Sequence, residues 1–449
     1  MPKYLAYHIV NARLICPEAG YRAGCDIVIR DGHIADILPA GSLRKDEPDV
    51  ERIDARGGIV QPGFVNTHNH SPLTIVRGMV EDRGFAPAYT PGVPQGHWLS
   101  EDETLALARL GVLELLCAGS TTVVDYYRMP QALARAAEEI GVRAQVGGRV
   151  MDADTAALAE GRFVHDPALG EATLAAALDL VESWDGRGNG RISTILAPHA
   201  PDTCSREMLT RFAELAAKTG KQVHTHLAQS VMEVEQIRER EGMSPVEFLE
   251  DTGLLNEDLV AAHCIYLPDE DIQRAGGAGI AVAHAPIGNA AFGAAAPIVA
   301  LRDAGARITL CTDTKSADMF EAMRYALSAA RSREAGKTGR ASLALNAREV
   351  FGWATSAGAK ALKGHGATGT LKVGDPADLV VLDADAPNLA PVIDGFGIVV
   401  HSGSGANVRT VFCDGECLLR DGRPTRVDAS EVIATAQAVA DRLWARAAA

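Results

Sequence analysis

Between about residue 59 and residue 364 the chain repeats one pattern: a short apolar run, then a longer segment in which Ala, Leu, Glu and Arg recur at helical spacing. Eight of the runs read as strands: "IVQPGFVNTH", "STTVVDYY", "VRAQVGGRV", "RISTILAPHA", "KQVHTHLAQ", "LVAAHC", "GIAVAHAP" and "ARITLCTD". Helix-like stretches such as "EDETLALARLGVLELLCAG", "SREMLTRFAELAAKTG" and "MSPVEFLEDTG" separate them. Strands that alternate with helices call for a parallel sheet, so the expected class is α/β. Eight units over roughly 300 residues suit a (β/α)8 TIM barrel, which typically needs about 250 before insertions. An open doubly wound sheet is the alternative, but no G-x-G-x-x-G follows any of the runs.

The two ends of the chain differ from the middle. "YHIVNARLI", "DIVIRDGHIADIL" and "ERIDARGGIVQPG" alternate apolar and polar residues, with a "DG" at a hairpin position. The style resumes in "GTLKVGDPADLVVLDAD" and "VRTVFCDGECLLRDG", and a helix-like stretch, "DASEVIATAQAVADRLWARAAA", follows. The expected organisation is residues 1–60 as the first part of a small composite β-sandwich, 61–364 as the barrel, and 365–449 as the rest of the sandwich plus a terminal helix.

Composition narrows the function classes. A formal net charge of -15 over 449 residues argues against nucleic acid or an anionic membrane surface as partner. No stretch approaches the roughly 18 uninterrupted apolar residues of a membrane span, and polar residues interrupt the first apolar run, so no signal peptide is expected. The eight cysteines are scattered, which suits buried thiols in a reducing, cytoplasmic setting.

A barrel of this kind carries its chemistry at the C-terminal ends of its strands. The first run ends in His68 and His70, the fourth at His199, the fifth in His224 and His226, the sixth in His263, the seventh in His284 and the eighth in Asp313. Thirteen histidines placed at random would give one or two such coincidences, not this series. Residues i and i+2 of a strand share a face, so His68 and His70 can reach one ion while Asn69 points away. Neutral imidazole is a standard ligand of zinc and related divalent ions, and a carboxylate from another strand compensates charge. His68, His70, His226, His263 and Asp313 therefore mark a metal site.

The set "PGFVNTHNH", "PHAPDTCS", "HTHLAQ", "AAHC", "VAHAPIGN" and "CTDTKSADMFEAMR" resembles the amidohydrolase superfamily, closest to its deaminase and chlorohydrolase branch. The likeness runs nearly end to end, since "GTLKVGDPADLVVLD" resembles that family's composite β-sandwich. It implies a hydrolase of carbon–nitrogen bonds other than peptide bonds, acting on a small cyclic or nitrogen-rich molecule. It gives His68, His70, His226 and Asp313 as ligands of one divalent ion, zinc first, with iron or manganese also compatible. His263 then faces the attacking water, His199 contacts substrate, and Asp313 takes the water's proton. A homodimer is usual in the family.

One position departs from the pattern. Ring-deaminating relatives carry a glutamate three places after the metal histidine, where this chain has Gln229. A carboxamide can donate a hydrogen bond but cannot deliver a proton. Three explanations are open: an already activated substrate such as an amide, imide or lactam; a substitute acid for an aromatic N-heterocycle, from Glu233 or Lys315; or a non-catalytic binding protein on the same barrel. Glu233 and Glu235 read as solvated helix charges. Lys315 and Arg149 are candidate cations for an anionic substrate group, and His97 and Trp98 candidate lining residues. The stretch "EDRGFAPAYTPGVPQGHWLS", rich in Pro and Gly, reads as a loop over the barrel mouth.

Overall fold

The computed structural model describes residues 6–43, 49–79, 93–94, 96–160, 162–314 and 316–448. Both ends of the chain build one nine-stranded sheet. Ala6–Cys16, Gly20–Arg30, His33–Pro39, Val50–Asp54 and Ile59–Pro62 come from the N-terminal side, and Leu379–Leu382, Val408–Cys413, Glu416–Arg420 and Arg423–Pro424 from the C-terminal side. The seam is Ile59–Pro62, parallel to Ala6–Cys16 (Leu14 opposite Val60) and antiparallel to Leu379–Leu382 (Val60 opposite Val381). The expected hairpin at "DG" is present: Asp31 and Gly32 both have positive φ, 49° and 81°, which a type I′ turn requires.

The first run expected of the middle unit is two strands. Ile59–Pro62 stays in the nine-stranded sheet, and Phe64–Asn69 begins a parallel one. The chain changes sheet at Gly63, where a Cβ would lie 2.1 Å from Thr121 Oγ1, so only glycine fits the crossing.

The middle of the chain forms two parallel sheets. Phe64–Asn69, Ser120–Tyr127, Arg143–Val150 and the short pieces Ile192–Thr194 and Ala197–Pro198 make the first, and Val223–Leu227, Leu259–His263, Ala281–His284 and Arg307–Leu310 the second. Single parallel bridges, Asn69 with Asp313 and Leu196 with Val223, join the sheets at both edges. The strands of both sheets are buried almost throughout, which is why they read as apolar runs rather than alternating ones. Helices follow the strands, with side-chain caps at many starts; Ser100 and Glu103 close a reciprocal capping box on Glu101–Cys117.

Arg143, at the start of its strand, ties the middle of the chain to the nine-stranded sheet. Its Nε donates to Asp378 at 2.8 Å and its Nη2 to Asp414 at 2.6 Å. Arg191 adds bonds to Asp414 and Glu416. The terminal helix Ala429–Ala448 lays Ala436, Val439 and Leu443 in a core shared with Ile75, Val76, Leu99 and Leu107. The eight cysteines form no disulfide. Among the described residues no helix is long and apolar enough to cross a membrane.

Candidate metal centre

The strand Phe64–Asn69 and the residue after it deliver His68 and His70 to one face, both buried. Val223–Leu227 delivers His226, and the next strand ends at His263, paired with Leu227. Asp313 stands three residues beyond Arg307–Leu310, its N–H donating to His68 O at 3.2 Å. Several residues at these strand ends have left-handed backbone: Ala228 (φ 48°), His263 (73°), Cys264 (51°) and Asp313 (57°). Asp and His adopt that region more readily than Ala or Cys, so the strain falls on Ala228 and Cys264, beside the residues whose side chains are aimed at the site.

The nitrogens are ordered. His70 Nδ1 lies 2.7 Å from Tyr126 O and His226 Nδ1 2.6 Å from His199 O. Carbonyls only accept, so both Nδ1 atoms carry the hydrogen and both Nε2 atoms keep a lone pair, that of His226 lying 3.3 Å from Tyr126 Oη. These two Nε2 atoms lie 3.2 Å apart. His68 Nε2, 3.7 Å from Asp313 Oδ1, and His263 Nε2 have no hydrogen-bond partner among the described residues. Behind them His68 Nδ1 meets His224 Nε2 at 2.9 Å, and His263 Nδ1 meets Asn289 Oδ1 at 3.2 Å.

Burial, first, holds every one of these imidazoles below its ordinary pKa. His70 falls to about 4 and His224 to about 3, while His68, His226 and His199 lie well below the usual range and His263 is lowered too. Neighbouring imidazoles deepen the shift for His68 and His226. Neutral imidazoles with convergent lone pairs are the donor set a divalent ion needs, with their far nitrogens fixed by hydrogen bonds as metal-binding histidines require. His68, His70 and His226 offer ligand atoms within 4.8 Å of one another, as do His68, His263 and Asp313. The residues present fit a metal.

Around this centre lie groups the sequence reading missed. Tyr126 Oη lies 3.0 Å from His226 Nδ1. Asp125 accepts from Ser71 N at 3.1 Å and also bonds the Ser71 hydroxyl; burial pushes its carboxyl up to about 7. The signal was the polar residue and two aromatics ending the otherwise apolar "STTVVDYY". His224 stands behind His68, its Nε2 on His68 Nδ1, and His284 is buried near His263.

His199 lies over His226, ring centroids 4.8 Å apart, and bonds Thr203 Oγ1 through Nδ1. Arg149 is near both: its charge depresses His199 and His70, its guanidinium carbon is 4.8 Å from the Tyr127 ring centroid, and its Nε has no hydrogen-bond partner among the described residues. His97 and Trp98 sit on the turn Gly96–Trp98, with His97 exposed. Burial and the guanidiniums of Arg128, Arg446 and Arg149 lower the His97 pKa. Lys315 lies outside the described residues, as does most of the proline-rich stretch before His97.

Glu233 is not a solvated helix charge. It is 2% exposed, and its carboxylate accepts from Ala228 N at 2.7 Å and Gln229 N at 2.8 Å. Burial, then the nearby Asp202 carboxylate, raises its pKa. With both oxygens taken by backbone donors, Glu233 fixes the turn that presents Gln229. The sequence carried a signal, since "SVME" is a capping-box pattern; Ser230 does cap Glu233 N, but the carboxylate reaches past the cap to the turn.

Comparison with known proteins agrees with this geometry. The model of the amidohydrolase family matches residues 59–418. A 5'-deoxyadenosine deaminase of Methanosarcina acetivorans is 34% identical over 437 residues, 96% of each chain. A 5-methylthioadenosine/S-adenosylhomocysteine deaminase of Desulforudis audaxviator is 32% identical over 441 residues, 97% of this chain and 98% of its own. A crystal structure of an adenosine deaminase from Xanthomonas campestris with bound zinc superposes with a TM-score of 0.84 at 26% identity, covering 97% of this chain and 98% of that one.

Proposed function

The chain belongs to the amidohydrolase family, and from that premise we propose how its site works. It is a metal-dependent hydrolase of carbon–nitrogen bonds. The finer reading is that the two parallel sheets close as a (β/α)8 barrel over residues 61–364, with 1–60 and 365–449 forming the composite sandwich unit. The substrate is a small cyclic, nitrogen-rich molecule. Because relatives are deaminases of 5′-modified adenosines, a nucleoside of that kind is the first to test. A cytoplasmic homodimer belongs to the same proposal.

The observation that carries it is the convergence of Nε2 atoms from His68, His70 and His226 beside the Asp313 carboxylate. These four residues would hold the ion. Three imidazoles and one carboxylate favour zinc and also suit iron or manganese. A divalent ion there lowers the pKa of water toward neutrality. Asp313 accepts the proton of the attacking water and passes it to the leaving nitrogen, so water and amine become carbonyl and ammonia. His263 holds its hydrogen on Nδ1 toward Asn289 Oδ1, which leaves Nε2 to accept a hydrogen bond from the attacking water and orient its oxygen. Gln229 orients the substrate, His199 packs against it, and Arg149 takes an anionic group, with His97 and Trp98 along the wall and Lys315 assigned a cationic contact.

Gln229 favours a second reading, the opening of a lactam, imide or other amide. Such a carbonyl needs no ring protonation, and Glu233 is committed to backbone N–H groups rather than free to supply a proton. Ammonia release from 5′-deoxyadenosine or S-adenosylhomocysteine, abolished in Asp313→Asn, supports deamination. A new carboxylate without ammonia, from a cyclic amide panel, selects ring opening. Zinc-loaded, folded protein that is silent on both panels overturns the proposal.

A further inference from the structure

The terminal helix Ala429–Ala448 follows the last strands of the nine-stranded sheet, yet it packs on the helix Glu101–Cys117 and reaches the segment that follows metal-site His70. Val432, Ala436, Val439 and Leu443 recur at steps of four, three and four, one face of a helix. Ala436, Val439 and Leu443 share a core with Ile75, Val76, Val93 and Leu99.

Two polar contacts go beyond apolar cover. Trp444 Nε1 donates to Ile75 O at 2.8 Å, five residues past His70. The Arg446 guanidinium carbon lies 4.8 Å from the Trp98 ring centroid. A guanidinium over an indole face is attracted by the ring quadrupole, and it fixes the ring in place. The turn that carries Trp98 is in turn pressed inward. A Cβ on Gly96 would lie 2.4 Å from Tyr127 Oη, and the same Tyr127 ring supports the Arg149 guanidinium. Tyr127 also lies 6.3 Å, ring to ring, from His70. The series thus runs from Arg446 over Trp98, through the Gly96 backbone against Tyr127, to Arg149 on the Tyr127 ring, with His70 beside it. Arg446 is also one of the three cations that act on His97.

We propose that the terminal helix is a working part of the substrate site, in which Trp444 and Arg446 are positioning residues that set the Gly96–Trp98 turn against Tyr127 and Arg149. The inference rests on the reading above that His97 and Trp98 line the substrate. A helix that merely covered apolar surface would place no demand on an indole N–H at Ile75 or on a guanidinium at Trp98. Substrate affinity therefore depends on the last five described residues of the chain, far in sequence from every group that performs chemistry.

The test compares zinc-loaded wild type with Trp444→Phe and Arg446→Ala, and uses Gln437→Ala, an exposed residue bonded to Asp441 on the same helix, as control. Two readouts are taken: amide hydrogen exchange over residues 96–99, and kcat and KM for 5′-deoxyadenosine together with zinc content. Both variants should speed exchange of those amides about tenfold. KM should rise roughly tenfold while kcat stays within about twofold, the pattern of lost ground-state positioning. Zinc content and the control should not change. Unaltered exchange overturns the proposal, as does faster exchange with an unaltered KM. Zinc lost in step with activity overturns it too, because the helix would then act through His70 alone. If wild type turns over no nucleoside, the nucleoside reading fails instead, and the exchange comparison on the same samples still decides whether the helix positions the turn. Arg446 is exposed, so its variant reads out even if Trp444→Phe fails to fold.

Discussion

His70 and His226 face each other through Nε2 atoms 3.2 Å apart, each locked from behind by a carbonyl, Tyr126 O for one and His199 O for the other. Because both Nδ1 atoms must keep their hydrogens, no proton can sit between the two lone pairs unless one ring becomes charged, and burial holds His226 well below its usual pKa. The Tyr126 hydroxyl reaches His226 Nε2 at 3.3 Å, and a cation between the rings would satisfy both lone pairs at once. Purified protein should hold about one divalent ion per chain, and His226→Asn should hold little. Chelation should lower the melting temperature and added zinc should restore it, since an ion at about 100 times its Kd stabilises by roughly 2.7 kcal/mol. Equal melting with and without metal would contradict this.

Gln229→Glu tests the departure at the turn beside His226. If the carboxamide only orients substrate, steady-state kcat on the natural reaction should stay level or fall, because a second carboxylate is then buried near Glu233. General acid help is worth about 10² to 10⁴ in rate. A gain of that size in ammonia release from an adenosine would mean that this site is an eroded ring deaminase.

Asp125 gives a pH signature in metal-depleted protein. Burial raises its folded pKa to about 7 from an ordinary value of 3.8. A raised folded pKa favours the protonated folded state, so its stabilising share is complete below about pH 4 and is lost as pH rises toward 7. That loss amounts to roughly 2–4 kcal/mol. Asp125→Asn keeps an oxygen for Ser71 N and an N–H for the Ser71 hydroxyl. Denaturant melts from pH 4 to 8 should show a flatter profile for the variant and greater stability than wild type at pH 8. Parallel profiles would refute the assignment.

Arg143 offers a stability test away from the site. Its side chain and that of Asp378 are each 5% exposed and bonded at 2.8 Å. Arg143→Ala strands a buried carboxylate and should cost about 3–5 kcal/mol. Asp378→Asn in the same background should recover part of that, as a double-mutant cycle by urea unfolding would show.

Much of the site was legible in the sequence because barrel-type strands are buried on both faces, so a polar residue ending one is conspicuous. His68, His70, His226, His263 and Asp313 stood out that way. Glu233 did not, because "VEQIRERE" around it reads as charged helix surface and only its cap pattern hinted otherwise. Tyr126 and Asp125 were hidden inside a strand that scores simply as apolar. The split at Gly63 was hidden for a different reason: an apolar run has no mark for the point at which it leaves one sheet for another. The contact of Trp444 with Ile75 spans 369 positions, and no local pattern foretells it.

The seam at Ile59–Pro62 has a consequence for biosynthesis. That strand leads through Gly63 directly into the one bearing His68, yet its antiparallel neighbour, Leu379–Leu382, emerges from the ribosome more than three hundred residues later. A nascent chain therefore carries every imidazole of the metal centre out of the ribosome before it owns the strand that anchors the first of them, and loading with metal must wait until translation is nearly over.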